Sequence, residues 1–136
     1  VSAILEQLKA PRPGLKILVV EDESDIVTYL TTLFEDHGYS TCSACDGAEG
    51  LHKAISEKPD LITLDISMPE KSGVKLLTEL QSHQKTEAIP IIIVTGVTPE
   101  FKRFIQSRKQ VKPFAGYIEK PIDREKILQL IKDTLR

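Results

Sequence analysis

The chain has 136 residues, 40% hydrophobic and 28% charged, with a formal net charge of −2. That length suits one domain with a core that needs no staples, and two cysteines are too few for a disulfide framework. A slightly acidic balance argues against a dedicated nucleic-acid binder, which carries a basic excess on one face. No apolar run approaches the roughly 20 residues that cross a bilayer, and the N-terminus lacks the layout of a secretory signal. A reducing, cytoplasmic setting without membrane contact is expected.

In chain order, residues 1–14 stand apart as an extension or linker. Ile4, Leu5 and Leu8 mark a helical turn or two, and Pro11-Arg-Pro-Gly14 reads as a tether. A start at Val1 rather than Met fits a chain trimmed or cut from something longer. Residues 15–136 form the expected domain. Lys16-Ile-Leu-Val-Val20 is a continuous apolar run, as in a strand covered on both faces. Ile26, Leu30, Leu33 and Phe34 follow at helical spacing, and Gly38 is a C-terminal stop. Tyr39 to Ala44 is a second, weaker strand. Asp46 and Glu49 make a capping-box pair for a helix carrying Leu51, Ala54 and Ile55 and ending at Pro59.

Leu61-Ile-Thr-Leu64 is a third strand running directly into Asp65, and Ser72 caps a helix with Val74, Leu77 and Leu80 on one face. Ile89 to Val94, the most apolar stretch, delivers Thr95-Gly96. Thr98-Pro99 then resembles a cap and first helical position, with Phe101, Phe104 and Ile105 as the apolar face of a fourth helix. Ala115 to Glu119 is the last strand, and Asp123 opens a helix with Ile127, Leu130 and Ile131 inward. Five strands alternating with five helices, with right-handed crossovers, predict a doubly wound parallel α/β sheet with helices on both faces.

Ligands in such sheets bind beyond the carboxyl ends of the strands. Those ends carry Glu21-Asp22, Asp65, Thr95 and Lys120, each directly after an apolar run. Three carboxylates about 5 Å apart repel by roughly 3 kcal/mol per pair at an effective dielectric of 20, so the cluster calls for a cation. Hard oxygen ligands without a nearby His or Cys favour Mg²⁺, with Mn²⁺ as a substitute. An Asp beside such an ion, a Lys and a Thr hydroxyl suits phosphoryl transfer to a carboxylate, with Gly96 keeping the approach open.

These segments resemble the receiver domain of two-component response regulators. The matching pieces are Ile17-Leu-Val-Val-Glu-Asp22, Asp65-Ile-Ser-Met-Pro-Glu-Lys-Ser-Gly73, Ile93-Val-Thr-Gly96 and Gly116-Tyr-Ile-Glu-Lys-Pro121, within a likeness running from about Lys16 onward. The resemblance implies a flavodoxin-like (βα)5 fold with strand order 2-1-3-4-5. It implies Asp65 as phosphoacceptor, and Mg²⁺ on Glu21, Asp22, Asp65 and the Ser67 backbone carbonyl. Thr95, Gly96 and Lys120 would bind the phosphoryl group, Thr95 and Tyr117 would act as the switch, and Pro121 would follow a cis bond. It implies a histidine kinase or histidine phosphotransfer protein as donor, and a downstream protein target or tethered output domain. A phosphorylation-dependent dimer and an absence of direct nucleic-acid binding complete these expectations. The domain is then a phosphoacceptor switch and not an enzyme.

The first acid is Glu21 where Asp is also common, the stretch between Thr95 and Lys120 is slightly long, and the apolar Val97 predicts slow self-dephosphorylation. An aspartate-nucleophile phosphatase of the haloacid dehalogenase type would need an acid two residues after the nucleophile, where Ser67 stands. A flavin- or nucleotide-binding module would need a Gly- or Ser/Thr-rich loop where Glu21-Asp22-Glu23 lies. Cys42 and Cys45 spell C-x-x-C but lack a second ligand pair and read as structural. Lys102, Arg103, Arg108, Lys109 and Lys112 read as a solvated face, or else a docking patch for an acidic partner. Fewer than twenty residues fall outside the pattern, too few for an output domain.

Overall fold

The computed structural model describes residues 14–68, 72–96 and 114–135. Five strands, β1 (Lys16–Val20), β2 (Ser40–Ala44), β3 (Leu61–Asp65), β4 (Ile91–Thr95) and β5 (Gly116–Glu119), pair in the order β2-β1-β3-β4-β5. Every pairing is parallel, so all five carboxyl ends share one edge. The helices among the described residues are α1 (Ser24–Asp36), α2 (Gly47–Glu57), α3 (Ser72–Ser82) and α4 (Arg124–Thr134). The helix expected at Thr98 and the segment before Gly14 lie outside the described residues.

Side chains alternate across a strand, so each apolar run supplies both faces of the sheet. Leu18, Val20, Ile62, Leu64 and Ile93 pack with Ala54 of α2 and Leu76, Leu77 and Leu80 of α3. Ile17, Val19, Leu61, Ile92, Val94 and Ile118 pack with Leu30, Leu33 and Phe34 of α1 and Ile127 and Ile131 of α4. Covering both faces is what lets β1, β3 and β4 be buried along nearly their whole length.

Local chemistry sets the helix ends. Asp46 accepts from the Glu49 N–H at 2.8 Å, and Asp123 accepts from Glu125 and Lys126 at 3.0 and 3.1 Å. Such caps contribute about 1 kcal/mol each. Gly38, at φ 92°, turns the chain out of α1. Three strands start later than the apolar pattern predicts, β5 by one residue, at Gly116 rather than Ala115. The Tyr39 N–H bonds the Phe34 carbonyl at 3.1 Å and so belongs to the helix end. Ile89 bonds back to Thr86 at 3.0 Å in a turn, while Pro90, which has no N–H, lends only its carbonyl to Ile62.

Candidate functional site

The carboxyl edge brings the expected residues together. Glu21 follows β1 and Asp65 ends β3, and both are buried. Lys120 follows β5, with its N–H on the Thr95 carbonyl at 2.8 Å and a cis bond to Pro121. Its Nζ stands 3.1 Å from Glu21 Oε1, 3.2 Å from Asp65 Oδ2 and 4.0 Å from Glu23 Oε1. The other oxygen of Asp65 accepts from the Ser67 N–H at 2.8 Å and the Ser67 hydroxyl at 2.6 Å. Glu21 Oε2 accepts from the Glu23 N–H at 3.2 Å. Glu21 Oε1 is ion-paired with Lys120 but out of line for a hydrogen bond, and so remains a buried oxygen with none. Asp22 is exposed and completes the cluster, in which one oxygen from each of Glu21, Asp22 and Asp65 lies within 4.8 Å of the others.

Burial pushes the Glu21 carboxyl up to about 8, helped by the neighbouring Asp65. Burial also works against ionisation of Asp65, but hydrogen bonds from Glu21 and Ser67 and the Lys120 charge outweigh it and hold its carboxyl below the usual value. Lys120 loses hydration on burial too, yet Glu21 and Asp65 hold its ammonium above the ordinary range. The cluster therefore favours an ionised Asp65 and a charged Lys120, with Glu21 the harder acid to ionise. All three acids offer hard oxygens within 4.8 Å of one another, so the set fits a small divalent cation.

Thr95 is buried at the end of β4, and its Oγ1 donates to the Gly96 carbonyl at 2.9 Å. Among the described residues, a methyl group added at Gly96 would meet nothing within 4 Å. Tyr117 is 50% exposed. Cys42 is half-buried, with burial raising its thiol pKa, and Cys45 is exposed; both are free. Val97 and the five basic residues from Lys102 to Lys112 lie outside the described residues.

Three participants escaped the sequence reading. The Ser67 hydroxyl orients Asp65, whereas only the Ser67 carbonyl was expected to take part. Glu23 reaches toward Lys120. Gly73, at the start of α3, lies so close to β3 that a Cβ there would come within 2.5 Å of the Asp65 carbonyl oxygen. A glycine in the first turn of a helix was the available signal for the last.

A doubly wound sheet with this acidic, Thr- and Lys-lined edge defines a flavodoxin-like signalling domain. The chain belongs to the response regulator receiver domain family, whose profile matches residues 17–132; it is a receiver domain of a two-component response regulator. It is 34% identical over 120 residues to protein PilH of Pseudomonas aeruginosa, covering 88% of this chain and 97% of PilH. It is 36% identical over 121 residues to the alkaline phosphatase synthesis transcriptional regulatory protein PhoP of Bacillus subtilis, covering 89% of this chain but 48% of PhoP. The chain thus spans nearly all of one curated relative and about half of another. Among solved structures, chemotaxis protein CheY4 of Vibrio cholerae superposes with a TM-score of 0.78 at 28% identity, over 90% of this chain and 99% of that one. No helix among the described residues is long and apolar enough to cross a membrane.

Proposed function

We propose that Asp65 accepts a phosphoryl group from a histidine kinase or histidine phosphotransfer protein, and that the domain signals by the change of shape that follows. The observation carrying this reading is the setting of Asp65. One oxygen is fixed by two Ser67 bonds while the other faces the Lys120 ammonium at 3.2 Å. An ionised, oriented carboxylate is a competent nucleophile. Its oxygen forms the new P–O bond as the P–N bond to the donor imidazole breaks, and the imidazole leaves with its electron pair and takes up a proton.

Glu21, Asp22, Asp65 and the Ser67 carbonyl are the residues that would hold Mg²⁺, or Mn²⁺ in its place. When bound, the ion supplies charge neutralisation for the transferred group. Lys120, already poised between two carboxylates, would pair with a phosphoryl oxygen. Thr95 would exchange its bond to the Gly96 carbonyl for one to the phosphoryl group, and Tyr117 would turn inward from its exposed position. Moving such a switch from 1:99 to 99:1 takes about 5.5 kcal/mol of differential stabilisation. Charge-assisted hydrogen bonds from Lys120 and Thr95 supply part of that. The downstream element is a protein target or a tethered output domain, with dimerisation on phosphorylation as one route. The setting is cytoplasmic, and the domain itself contacts neither nucleic acid nor membrane. Its chemistry is confined to its own Asp65, including self-dephosphorylation.

The test is intact-mass spectrometry after incubation with acetyl phosphate, with and without Mg²⁺, on wild type and Asp65→Asn. A Mg²⁺-dependent phosphoryl adduct absent from Asp65→Asn is expected. Absence of an adduct on the wild type, or its persistence in Asp65→Asn, refutes the assignment.

A further inference from the structure

Glu23 occupies the N-cap position of α1 yet makes no side-chain capping bond. Its backbone serves the helix instead, with the carbonyl accepting from Ile26 and Val27 at 3.1 and 3.0 Å. The carboxylate is 65% exposed and reaches over the site to within 4.0 Å of Lys120 Nζ. Lys120 already has Glu21 and Asp65 at 3.1 and 3.2 Å, so a third carboxylate adds little to its fixation. An exposed ion pair of that length contributes little to stability. What Glu23 does supply is a negative charge at the mouth of a site whose reactant is an anion.

We propose that Glu23 is a specificity-determining residue that discriminates among phosphodonors by charge, holding back small free dianions. The inference rests on Asp65 being the phosphoacceptor. A phosphoryl oxygen seated about 3 Å from Lys120 Nζ would lie at most about 7 Å from the Glu23 carboxylate, which is 4.0 Å from the same Nζ. At a water-like dielectric, screened at about 0.02 M ionic strength, a unit charge at that distance slows entry of a dianion about fourfold. It slows a monoanion about twofold, the square root of that factor, and at about 0.15 M the dianion effect shrinks to about twofold. A protein donor brings its phosphoryl group in by contacts elsewhere on the surface and is less sensitive to this one charge.

The test compares initial phosphorylation rates of wild type, Glu23→Gln and Asp25→Asn in Mg²⁺, followed by intact mass. The donors are acetyl phosphate, a dianion, and phosphoramidate, a monoanion at neutral pH. Glu23→Gln should raise the acetyl phosphate rate about fourfold at low salt and the phosphoramidate rate about half as far on a logarithmic scale, with both gains shrinking as salt rises. Asp25→Asn removes a neighbouring acid from the first turn of α1 and should change both rates less. Unchanged rates in Glu23→Gln overturn the inference while leaving Asp65 as acceptor. So do slower rates, which would make Glu23 a positioning residue for Lys120, or an equal gain in Asp25→Asn, which would make the effect one of net charge. Absence of an adduct on the wild type overturns both readings together, and is distinguished by that fact.

Discussion

Gly73→Ala is the substitution that most directly tests how α3 and the phosphoacceptor are built together. A Cβ at residue 73 would lie 2.5 Å from the Asp65 carbonyl oxygen, 2.6 Å from Ile66 Cα and 3.0 Å from the Ile66 carbonyl carbon. Favourable carbon contacts lie near 3.5–4.0 Å, and all three atoms are backbone of the chain leaving β3, so no rotamer change relieves the overlap. The start of α3 and the end of β3 must separate by about 1 Å. Overpacking of this kind costs about 1–3 kcal/mol, against roughly 1 kcal/mol gained by placing Ala rather than Gly in a helix. The expected net loss is about 0–2 kcal/mol, read by urea unfolding. Because the displaced backbone carries Asp65, the acetyl phosphate rate should fall by more than tenfold, a 1 Å misplacement being worth about a hundredfold. Two other glycines calibrate the result. At Gly50 the nearest atom to an added Cβ is Leu76 Cδ2 at 2.7 Å, the end of a side chain that can turn, and at Gly96 there is nothing within 4 Å among the described residues. Both alanine variants should stay within about 1 kcal/mol of wild type. If Gly73→Ala were as stable and as quickly phosphorylated as wild type, the close packing of α3 on the phosphoacceptor would be refuted.

In EDTA, folded-state stability should decline as pH rises from about 4.5 to about 8, because burial raises the Glu21 pKa on folding and ionising it then costs the native state. Glu21→Gln should flatten that decline in urea titrations at stepped pH, and an unaltered slope would show that other groups carry it. Thr63, buried on β3 one side-chain repeat before Asp65, has a hydroxyl with no hydrogen-bond partner. Thr63→Val should therefore raise stability by about 1 kcal/mol, and a loss would show that the hydroxyl is satisfied. Lys120→Ala strands the buried Glu21 and Asp65 carboxylates without their counter-charge. It should lower the thermal midpoint in EDTA more than in saturating Mg²⁺, and an equal loss in both would contradict the shared-carboxylate picture.

Much of this domain is legible along the chain because its signals are local. The apolar runs of β1, β3 and β4 end at Glu21, Asp65 and Thr95, and parallel crossovers then oblige those ends to meet at one edge. Asp46 and Asp123 announce their helices because a cap acts within three residues. Periodicity misplaced the starts of β2, β4 and β5. It registers which residues are apolar and not where each N–H is spent, and Tyr39 and Ile89 spend theirs on turns.

What the tertiary structure alone decided is measured in single ångströms between segments far apart in sequence. Nothing local says that Gly73 must lie against the Asp65 carbonyl, or that Glu23 leaves its helix uncapped to lean toward Lys120. Nor does the residue type reveal that the carboxyl of Glu21, written like any surface acid, is pushed up to about 8. That value comes from burial beside Asp65, and Coulomb and desolvation energies depend on distance and dielectric, which are properties of the packed fold. Sequence pattern specified which groups reach the edge; their protonation, their partners and the space between them arose only when the strands were brought into register.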